Sequence, residues 1–426
     1  MSRASILALA AVWKLGLTSA ALSYPIKEND VEMIFDNQPL NLFVDSGSSE
    51  SYLVYGGWYE SLYGRGSCKH LISGCYFCPP TDPCDLKGLL AQNVVELGFA
   101  DGDIVRFVYR AVTLKLSDER EITNLQIGLM VGSTRAERGV QPIPELGLSL
   151  PSPGLEREQP SLLWQLVKAG VISKAAFSVH VSEALGWMTG QLMLGEDSGG
   201  AGNVTTFRLG EFSRAKRVIG VSASAVLVKH SSNRVQEFSK KRKHLKVTFD
   251  TGTCETVLPT ELFVTILEAL EAELGRHRVS WLSETLCFTR CLLDAYIGGD
   301  GYIWVRKSVI ERLPVIVIQV GAESTFEVHL SRHVYACRGR WCSILVSDRG
   351  MDDDPHMLVL GMRFFKEYDV YVDFDTGVIG LATAQTPVPS AALEKAWKVP
   401  RCRRTGRPRS GLTGPLRRSV GGAGHD

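Results

Sequence analysis

The chain has 426 residues, and its 47 Lys and Arg nearly balance its 46 Asp and Glu, which gives a net charge of +1. This balance gives no overall positive field of the kind that favours nucleic acid, so we expect no nucleic-acid partner. The hydrophobic content of 45% is that of an ordinary globular protein. A chain of this length is too long to fold around one ordinary hydrophobic core. It suits two lobes of roughly 150–200 residues with extensions at the ends.

The first 21 residues have the pattern of a secretory signal peptide. Arg3 precedes an apolar stretch over residues 4–17, and Ser19-Ala20-Ala21 supplies small residues for cleavage. Lys14 interrupts the apolar stretch, and the alternative is a buried or membrane helix, although a bilayer span needs about 20 apolar residues. No other stretch is long enough to cross a membrane. We therefore predict a chain without a transmembrane segment that is secreted or enters an endomembrane lumen.

Two hairpins are predicted in the first part of the chain. Residues 31–44 alternate in polarity around a turn and lead directly to Asp45. Residues 94–116 alternate around a turn at Asp101-Gly102, which indicates a long hairpin. Such a hairpin could overhang a cleft.

The later segments include helices, a glycosylation signal and a basic tail. Apolar residues at helical spacing predict helices over residues 161–169 and 260–274. Asn203 begins an Asn-Val-Thr sequon in a Gly-rich region, so we expect glycosylation there. The basic run at residues 240–244 is interpreted as a solvated hairpin tip. Residues 384–426 are rich in Arg, Gly and Pro, and we predict a disordered tail.

The ten cysteines favour disulfides over metal binding. Cys75 and Cys78 form one CxxC pair, but no second CxxC or His pair follows at zinc-finger distance, so we expect neither a metal nor a cofactor. In a secreted chain we predict that eight of the cysteines fall into two sets of four and that each set forms two disulfide bridges. The connectivity within each set is open, and Cys254 and Cys402 are left over. The two sets are Cys68, Cys75, Cys78 and Cys84, and Cys287, Cys291, Cys337 and Cys342.

One motif occurs twice, 205 positions apart. Each copy is an apolar strand followed by an Asp, a small hydroxyl residue, a Gly and a second hydroxyl residue, with a Glu two places further on. Two well-spaced copies would occur by chance in fewer than about one in a thousand chains of this length. The repeat indicates that the protein requires two copies of the same carboxylate group, each in the same local setting. The copies are Asp45-Ser46-Gly47-Ser48 with Glu50, and Asp250-Thr251-Gly252-Thr253 with Glu255.

The residue types in the motif suit a pair of carboxylates. Gly47 and Gly252 let the backbone approach closely, and the hydroxyl that follows each can bond a carboxylate and fix its plane. If the two loops face each other, Asp45 and Asp250 lie close together, and like charges that close share one proton. Such a pair can polarise a water for attack on a peptide carbonyl, while the protonated partner donates to the developing tetrahedral oxygen.

With these motifs the chain resembles the pepsin-like aspartic proteases over about residues 24–383. Glu145-Leu146-Gly147-Leu148 and Val359-Leu360-Gly361 are similar to the paired hydrophobic-Gly elements behind that family's active-site loops, and residues 364–382 are similar to its C-terminal signature. The four cysteines of the first set are more weakly similar to the cysteine-rich insertions of nepenthesin-like proteases and of apicomplexan export-processing plasmepsins.

The resemblance implies a mostly β, bilobal fold with two pseudo-repeated β lobes and an interlobe cleft. We assign the N-terminal lobe to residues 22–205 and the C-terminal lobe to residues 206–383. The resemblance also implies that Asp45 and Asp250 are the catalytic pair, a dyad of the kind known to share a proton in aspartic proteases. The implied substrates are extended peptides, or protein segments, with apolar residues flanking the scissile bond. We expect a monomer.

The predicted hairpin departs from the family where a flap Tyr is usual. Aligning the family pattern on Gly98 puts Leu97 at the Tyr position, with Phe99 nearby, and Tyr52 stands where a Trp partner is usual. These four residues are our candidates for the flap and for substrate contacts. Cys254 replaces a small hydroxyl residue beside the second motif, and we expect an inert buried thiol.

Three functions are compatible with the sequence. An aspartic-type endopeptidase is favoured because both Asp residues are present. A catalytically impaired pepsin-fold protein that binds peptides or proteins is the alternative, and Leu97 favours it. A cysteine-dependent redox protein would depend on Cys75 and Cys78 alone, without the βαβ setting that such motifs have.

Overall fold

The computed structural model describes most of the chain between residues 21 and 384. Asn203, Cys287, Cys291 and Cys402 lie outside the described residues, as do residues 1–20, 240–244 and 385–426, so the predictions made for them stay predictions. The described ranges are 21–99, 101–117, 120–151, 160–183, 187–195, 204–212, 218–238, 245–280, 294–322, 324–350 and 354–384.

The described residues are mostly β, as predicted. The strands of the first half are β1 Leu22–Lys27, β2 Asp30–Phe35, β3 Gln38–Asp45, β4 Tyr52–Val54, β5 Val95–Gly98, β6 Ile104–Lys115, β7 Glu121–Ser133, β8 Glu145–Gly147, β9 Ala176–Glu183, β10 Thr189–Leu194 and β11 Val204–Arg208. Those of the second half are β12 Gly220–Ala223, β13 Ala225–Lys229, β14 Val235–Glu237, β15 Leu245–Phe249, β16 Thr256–Leu258, β17 Val279–Ser280, β18 Ala295–Ile297, β19 Ile303–Arg306, β20 Val315–Val320, β21 Ser324–His329, β22 Val334–Arg338, β23 Trp341–Ile344, β24 Val346–Asp348, β25 Met357–Leu360, β26 Tyr368–Asp373 and β27 Val378–Thr383.

Short helices pack on the strands. The α-helices are α1 Gly56–Tyr63, α2 Leu86–Leu90, α3 Thr134–Glu137, α4 Leu162–Lys168 and α5 Thr260–Leu274, and 3₁₀ helices cover Ser67–His70, Arg276–Arg278, Lys307–Arg312, Leu330–His333 and Phe364–Lys366. Both predicted helices are confirmed by α4 and α5. Helix α5 buries Leu262, Ile266 and Leu270 on one face, which is the i, i+4 spacing of an amphipathic helix. Helix α4 begins after Ser161, whose hydroxyl accepts from the Trp164 N–H at 3.4 Å.

Within the described residues, the largest sheet has 13 strands in the order β11-β27-β26-β9-β10-β1-β2-β3-β8-β4-β7-β6-β5. Three smaller sheets have the orders β12-β15-β25-β16-β24, β14-β13-β20-β21 and β17-β18-β19-β23-β22. The first predicted hairpin is β2–β3, and its turn residues Asp36 and Asn37 have φ of 46° and 62°, as a two-residue hairpin turn requires. The second predicted hairpin is β5–β6.

The large sheet joins the two halves of the chain. Strand β26, near the C-terminal end, pairs with β9, so that Val370 lies opposite Val179. Strand β27 pairs with β11, and the boundary that the sequence placed between residues 205 and 206 falls inside β11. The halves therefore share one sheet, and each contributes one copy of the motif at its own strand end.

Candidate active site

Both copies of the motif begin at the end of a buried strand. Strand β3 ends at Asp45 and runs parallel to β8, with Asp45 opposite Gly147, and Asp45 O accepts from the Leu148 N–H at 2.9 Å. Strand β15 ends just before Asp250 and runs parallel to β25, and the Asp250 N–H donates to Leu360 O at 3.0 Å. The same local arrangement is thus built twice, as the repeated sequence predicts.

The paired Gly residues behind the loops are required by close packing. A Cβ atom at Gly147 would lie 2.4 Å from Glu50 O, and a Cβ atom at Gly361 would lie 2.2 Å from Glu255 O. Contacts that short with backbone atoms do not occur, so a side chain at either position would displace the loop. The hydrophobic-Gly elements lie where the resemblance implied.

The two loops are joined by a reciprocal pair of hydrogen bonds. The Ser46 N–H donates to Thr251 Oγ1, and the Thr251 N–H donates to Ser46 Oγ, both at 2.9 Å. Each hydroxyl then donates to a backbone carbonyl of the opposite copy, Ser46 to Phe249 O at 3.1 Å and Thr251 to Val44 O at 2.8 Å. All four bonds are buried, so they fix the loops face to face. Ser46 and Thr251 orient the backbone of the site.

Each carboxylate lies over the glycine of the opposite loop. Asp45 Oδ1 accepts from the Gly47 N–H at 2.7 Å, and Asp250 Oδ1 accepts from the Gly252 N–H at 2.8 Å. A Cβ atom at Gly47 would lie 2.6 Å from Asp250 Oδ1, and a Cβ atom at Gly252 would lie 2.5 Å from Asp45 Oδ1. Glycine at these positions therefore leaves the space in which the two carboxylates meet.

The second hydroxyl of each motif has a different contact in the two copies. Thr253 Oγ1 donates to Asp250 Oδ2 at 2.7 Å, which is the carboxylate contact expected from the sequence. Ser48 Oγ accepts from the Glu50 N–H at 3.2 Å and so closes the first loop.

The surroundings of Asp250 favour its protonated form. Burial raises the pKa of Asp250, while hydrogen bonds from Thr253, from the Gly252 N–H and with Asp45 lower the pKa, and the net pKa lies above the ordinary value. A carboxyl group with a raised pKa that shares a hydrogen bond with a second carboxylate can hold the single proton of the pair.

The hairpin β5–β6 lies where the sequence placed it, and so does its turn. Gly102 has a positive φ of 83°, so the turn predicted at Asp101-Gly102 is confirmed. Gly98, on which the family alignment was made, pairs with Ile104 inside the strand ladder. Leu97 and Phe99 are half-buried and pack against the core.

Tyr52 belongs to the interior beneath the hairpin. Its side chain is fully buried and stacks on Phe107 of β6, with ring centroids 5.4 Å apart and planes 15° apart. Tyr52 therefore contacts the hairpin from the strand β4 side, and a substrate contact for it stays a prediction.

The cysteine predictions are confirmed in part. The first set forms two bridges, Cys68–Cys75 and Cys78–Cys84, and Cys337 bonds to Cys342. Cys254 is also disulfide-bonded, so the expectation that it is left over as a free thiol is wrong. Its partner lies outside the described residues. Among the described residues, no group of three His, Cys, Asp or Glu side chains is arranged to hold a metal ion.

Two polar contacts of the hairpin were not predicted. The Tyr109 hydroxyl on β6 donates to Glu50 Oε2, next to the first loop. Asp103, at the turn, is buried and accepts from Arg138 and from Arg135, the latter at 3.3 Å. The repeated Glu of the motif was the one signal in the sequence for the contact between Tyr109 and Glu50. No local pattern indicates the contacts of Asp103.

Comparisons with known proteins agree with this geometry. Residues 87–384, more than half of the chain, match the eukaryotic aspartyl protease family. The chain belongs to this family. The matched range includes Asp250 and begins after Asp45, so the first copy of the motif is outside it.

The fold of this aspartyl protease family member is similar to that of a solved structure. The aspartic proteinase from Irpex lacteus superposes with a TM-score of 0.61 at 16% identity, covering 88% of this chain and all of that one. This likeness confirms the pepsin-like fold expected from the sequence. No curated protein matches the chain. None of the helices in the described part is long and apolar enough to cross a membrane.

Proposed function

We propose that the chain is an aspartic-type endopeptidase in which Asp45 and Asp250 together activate a water molecule. The observation that carries this proposal is the reciprocal packing of each carboxylate over the glycine of the other loop, which brings two carboxyl groups into one site. Membership of the aspartyl protease family supports a peptidase activity. The peptide substrates would be extended, with apolar residues flanking the scissile bond.

The proposed roles follow from the hydrogen bonds. The pair holds one proton, and burial, which raises the pKa of Asp250, favours the protonated form of that carboxyl group. Asp45, as the ionised partner, polarises the water, which attacks the peptide carbonyl, and the Asp250 carboxyl donates to the developing tetrahedral oxygen. Ser46 and Thr251 position the loops, and Thr253 orients the Asp250 carboxylate.

The proposed setting is an oxidising compartment of the secretory pathway. Three disulfides between described cysteines support it, because such bonds persist in oxidising environments. The apolar segment near the N-terminus supports the same route.

The test is hydrolysis of a peptide library between about pH 3 and 7, with and without pepstatin, by the wild type and by Asp45→Asn and Asp250→Asn. Both variants should lose hydrolysis, with thermal stability unchanged or higher, because removing one of two crowded carboxylates relieves repulsion. Asp348→Asn, an exposed carboxylate that accepts from Thr260 at 2.7 Å, is the matched control. Near-wild-type turnover by either dyad variant would overturn the assignment.

A catalytically impaired binding protein is the second candidate. It is favoured by the absence of a hydroxyl group on Leu97 and Phe99, the residues nearest to the flap position of the family. The same experiment separates the two, because an impaired protein would bind a peptide or pepstatin without hydrolysing any library member.

A further inference from the structure

Glu50 links the first loop of the site to the hairpin. It follows the Asp45 loop, it is 2% exposed, and its carboxylate accepts from the Tyr109 hydroxyl and, at 3.4 Å, from Ser49 Oγ. Tyr109 lies on β6, the long strand of the hairpin. A side-chain bond therefore connects the loop that carries one candidate catalytic carboxylate to the element expected to cover the cleft.

The backbone of Glu50 is fixed independently of this bond. Its N–H donates to Ser48 Oγ at 3.2 Å, and Ser48 O accepts from the Ser149 N–H at 2.9 Å. Its carbonyl oxygen occupies the space that a side chain at Gly147 would need. Because the backbone is attached to the β8 side, the Glu50 carboxylate is a fixed point from which the position of Tyr109 can be set.

The Tyr109 ring is fixed by packing. It lies edge-on against Phe107, with centroids 5.4 Å apart, and Phe107 stacks on the fully buried Tyr52. The direction of the hydroxyl is thus set by aromatic neighbours as well as by its acceptor. A buried carboxylate in turn needs donors, because an ionised group removed from water without hydrogen bonds is costly.

We infer that Glu50 and Tyr109 are positioning residues for the proposed hydrolysis. Their hydrogen bond sets the hairpin at a fixed distance from the Asp45 loop. Leu97 and Phe99 have no hydroxyl group with which to make such a bond. The inference rests on the proposed function. It also accounts for the Glu in the first copy of the repeated motif, whose carboxylate the proposed chemistry does not use.

The kinetic test compares Tyr109→Phe, Glu50→Gln and the double variant on a good peptide substrate. Tyr109→Phe keeps the ring and removes only the hydroxyl, so kcat should fall about three- to tenfold with little change in KM. The double variant should lose no more than the worse single variant, because the two changes remove the same bond. A wild-type kcat for Tyr109→Phe, or losses that simply add in the double variant, would overturn the inference.

Tyr371→Phe is the matched control for this experiment. The Tyr371 hydroxyl also donates to a carboxylate, that of Asp373, at 2.9 Å, and it also lies on a strand of the large sheet. It is on β26, whose neighbours in the sheet are β9 and β27. This variant should keep the wild-type kcat. The comparison therefore separates the specific effect of losing the Tyr109 hydroxyl from a general effect of removing a tyrosine–carboxylate hydrogen bond.

Amide hydrogen exchange provides a readout that does not depend on activity. In Tyr109→Phe, amides of residues 104–109 should exchange about three- to tenfold faster, whereas those of residues 46–50, whose backbone is fixed independently of this bond, should stay unchanged; Tyr371→Phe should leave both segments unchanged. Unchanged exchange over residues 104–109 would overturn the inference. If the wild type shows no Asp45-dependent hydrolysis, the proposed function fails, and the exchange result alone decides whether Glu50 and Tyr109 position the hairpin.

Discussion

Ser46 and Thr251 each donate a backbone hydrogen bond to the hydroxyl of the other, both at 2.9 Å, although they lie 205 positions apart. Because each hydroxyl also donates to a buried carbonyl of the opposite copy, the relative position of the two loops is set by neutral groups. The loops that carry Asp45 and Asp250 are therefore joined by hydrogen bonds that do not require either carboxyl group to be charged or neutral.

Removing one of the two hydroxyl groups in this reciprocal pair of hydrogen bonds should lower both the stability and the activity. Thr251→Val has nearly the same shape but leaves the Ser46 N–H and Val44 O without their partner, so we expect a loss of about 2–4 kcal/mol in the free energy of unfolding and a large fall in kcat/KM. Thr251→Ser keeps the hydroxyl and is the control. Urea unfolding of both variants checks the prediction, which equal stability of Thr251→Val and Thr251→Ser would contradict.

The buried carboxylate of Asp103 at the hairpin turn should contribute more to the free energy of unfolding than the exposed carboxylate of Glu96 on the strand. Asp103 is 2% exposed and pairs with two Arg side chains of which one is more than half exposed, so Asp103→Asn should lower the free energy of unfolding by about 1–2 kcal/mol. Glu96→Gln removes the exposed pair with Arg106 on the same hairpin and should cost less than about 1 kcal/mol. Denaturant unfolding of the two variants measures this difference, and a larger loss for Glu96→Gln would contradict the prediction.

Glu367 should make stability depend on pH at the acid end. It is buried, and it contacts His329 Nδ1 at 2.9 Å and His333 Nε2 at 3.2 Å. Burial acts to raise the pKa of Glu367, but the hydrogen bonds and charges of the two His residues outweigh it, so the pKa lies below the ordinary value. A depressed pKa in the folded state stabilises the protein above the unfolded-state pKa of about 4.3, and this contribution is lost as the pH falls through the folded-state pKa.

We therefore expect Glu367→Gln to be less stable than the wild type near pH 6, with a difference that shrinks as the pH falls below about 4. Thermal unfolding of both proteins across this pH range checks the sign. Glu327→Gln, which alters a more exposed carboxylate 3.2 Å from His329, is the control and should show a smaller pH dependence. A difference between Glu367→Gln and wild type that is constant with pH would contradict the prediction.

The disulfide of Cys254 should stabilise the second loop. Cys254 follows Thr253, which orients Asp250, and its partner is one of Cys287, Cys291 and Cys402. Any of these closes a much longer loop than Cys337–Cys342, so removing the Cys254 bridge should cost about 2–4 kcal/mol, more than removing the shorter one. Non-reducing peptide mapping identifies the partner. Recovery of Cys254 as a free thiol, or a greater loss on removing Cys337–Cys342, would contradict the prediction.

The features predicted from the sequence are those that a local pattern encodes. The strand ends at Asp45 and Asp250, the hairpin over residues 94–116 and helix α5 each depend on the order of residues within one short segment. The turn of that hairpin was predicted at Asp101-Gly102 because an Asp-Gly pair between two alternating segments favours a tight turn, and Gly102 has the positive φ that such a turn uses.

The features that the sequence did not predict join distant residues. Tyr109 and Glu50 are 59 positions apart, and Arg138 and Asp103 are 35 apart. A Tyr on a strand or an Asp at a turn has many possible partners, and the folded sheet decides which one is near.

The pairing of β9 with β26 has a consequence for the order in which the protein can fold. Strand β9 ends at Glu183, but its neighbour β26 begins only at Tyr368, so the ribosome makes β9 long before β26. Until then, one edge of β9 has unpaired backbone donors and acceptors, which favour pairing with other strands. Contacts between such distant segments also form slowly, because a long loop must close first. The large sheet can therefore be completed only after residue 373 has emerged, and a free edge of β9 persists until then.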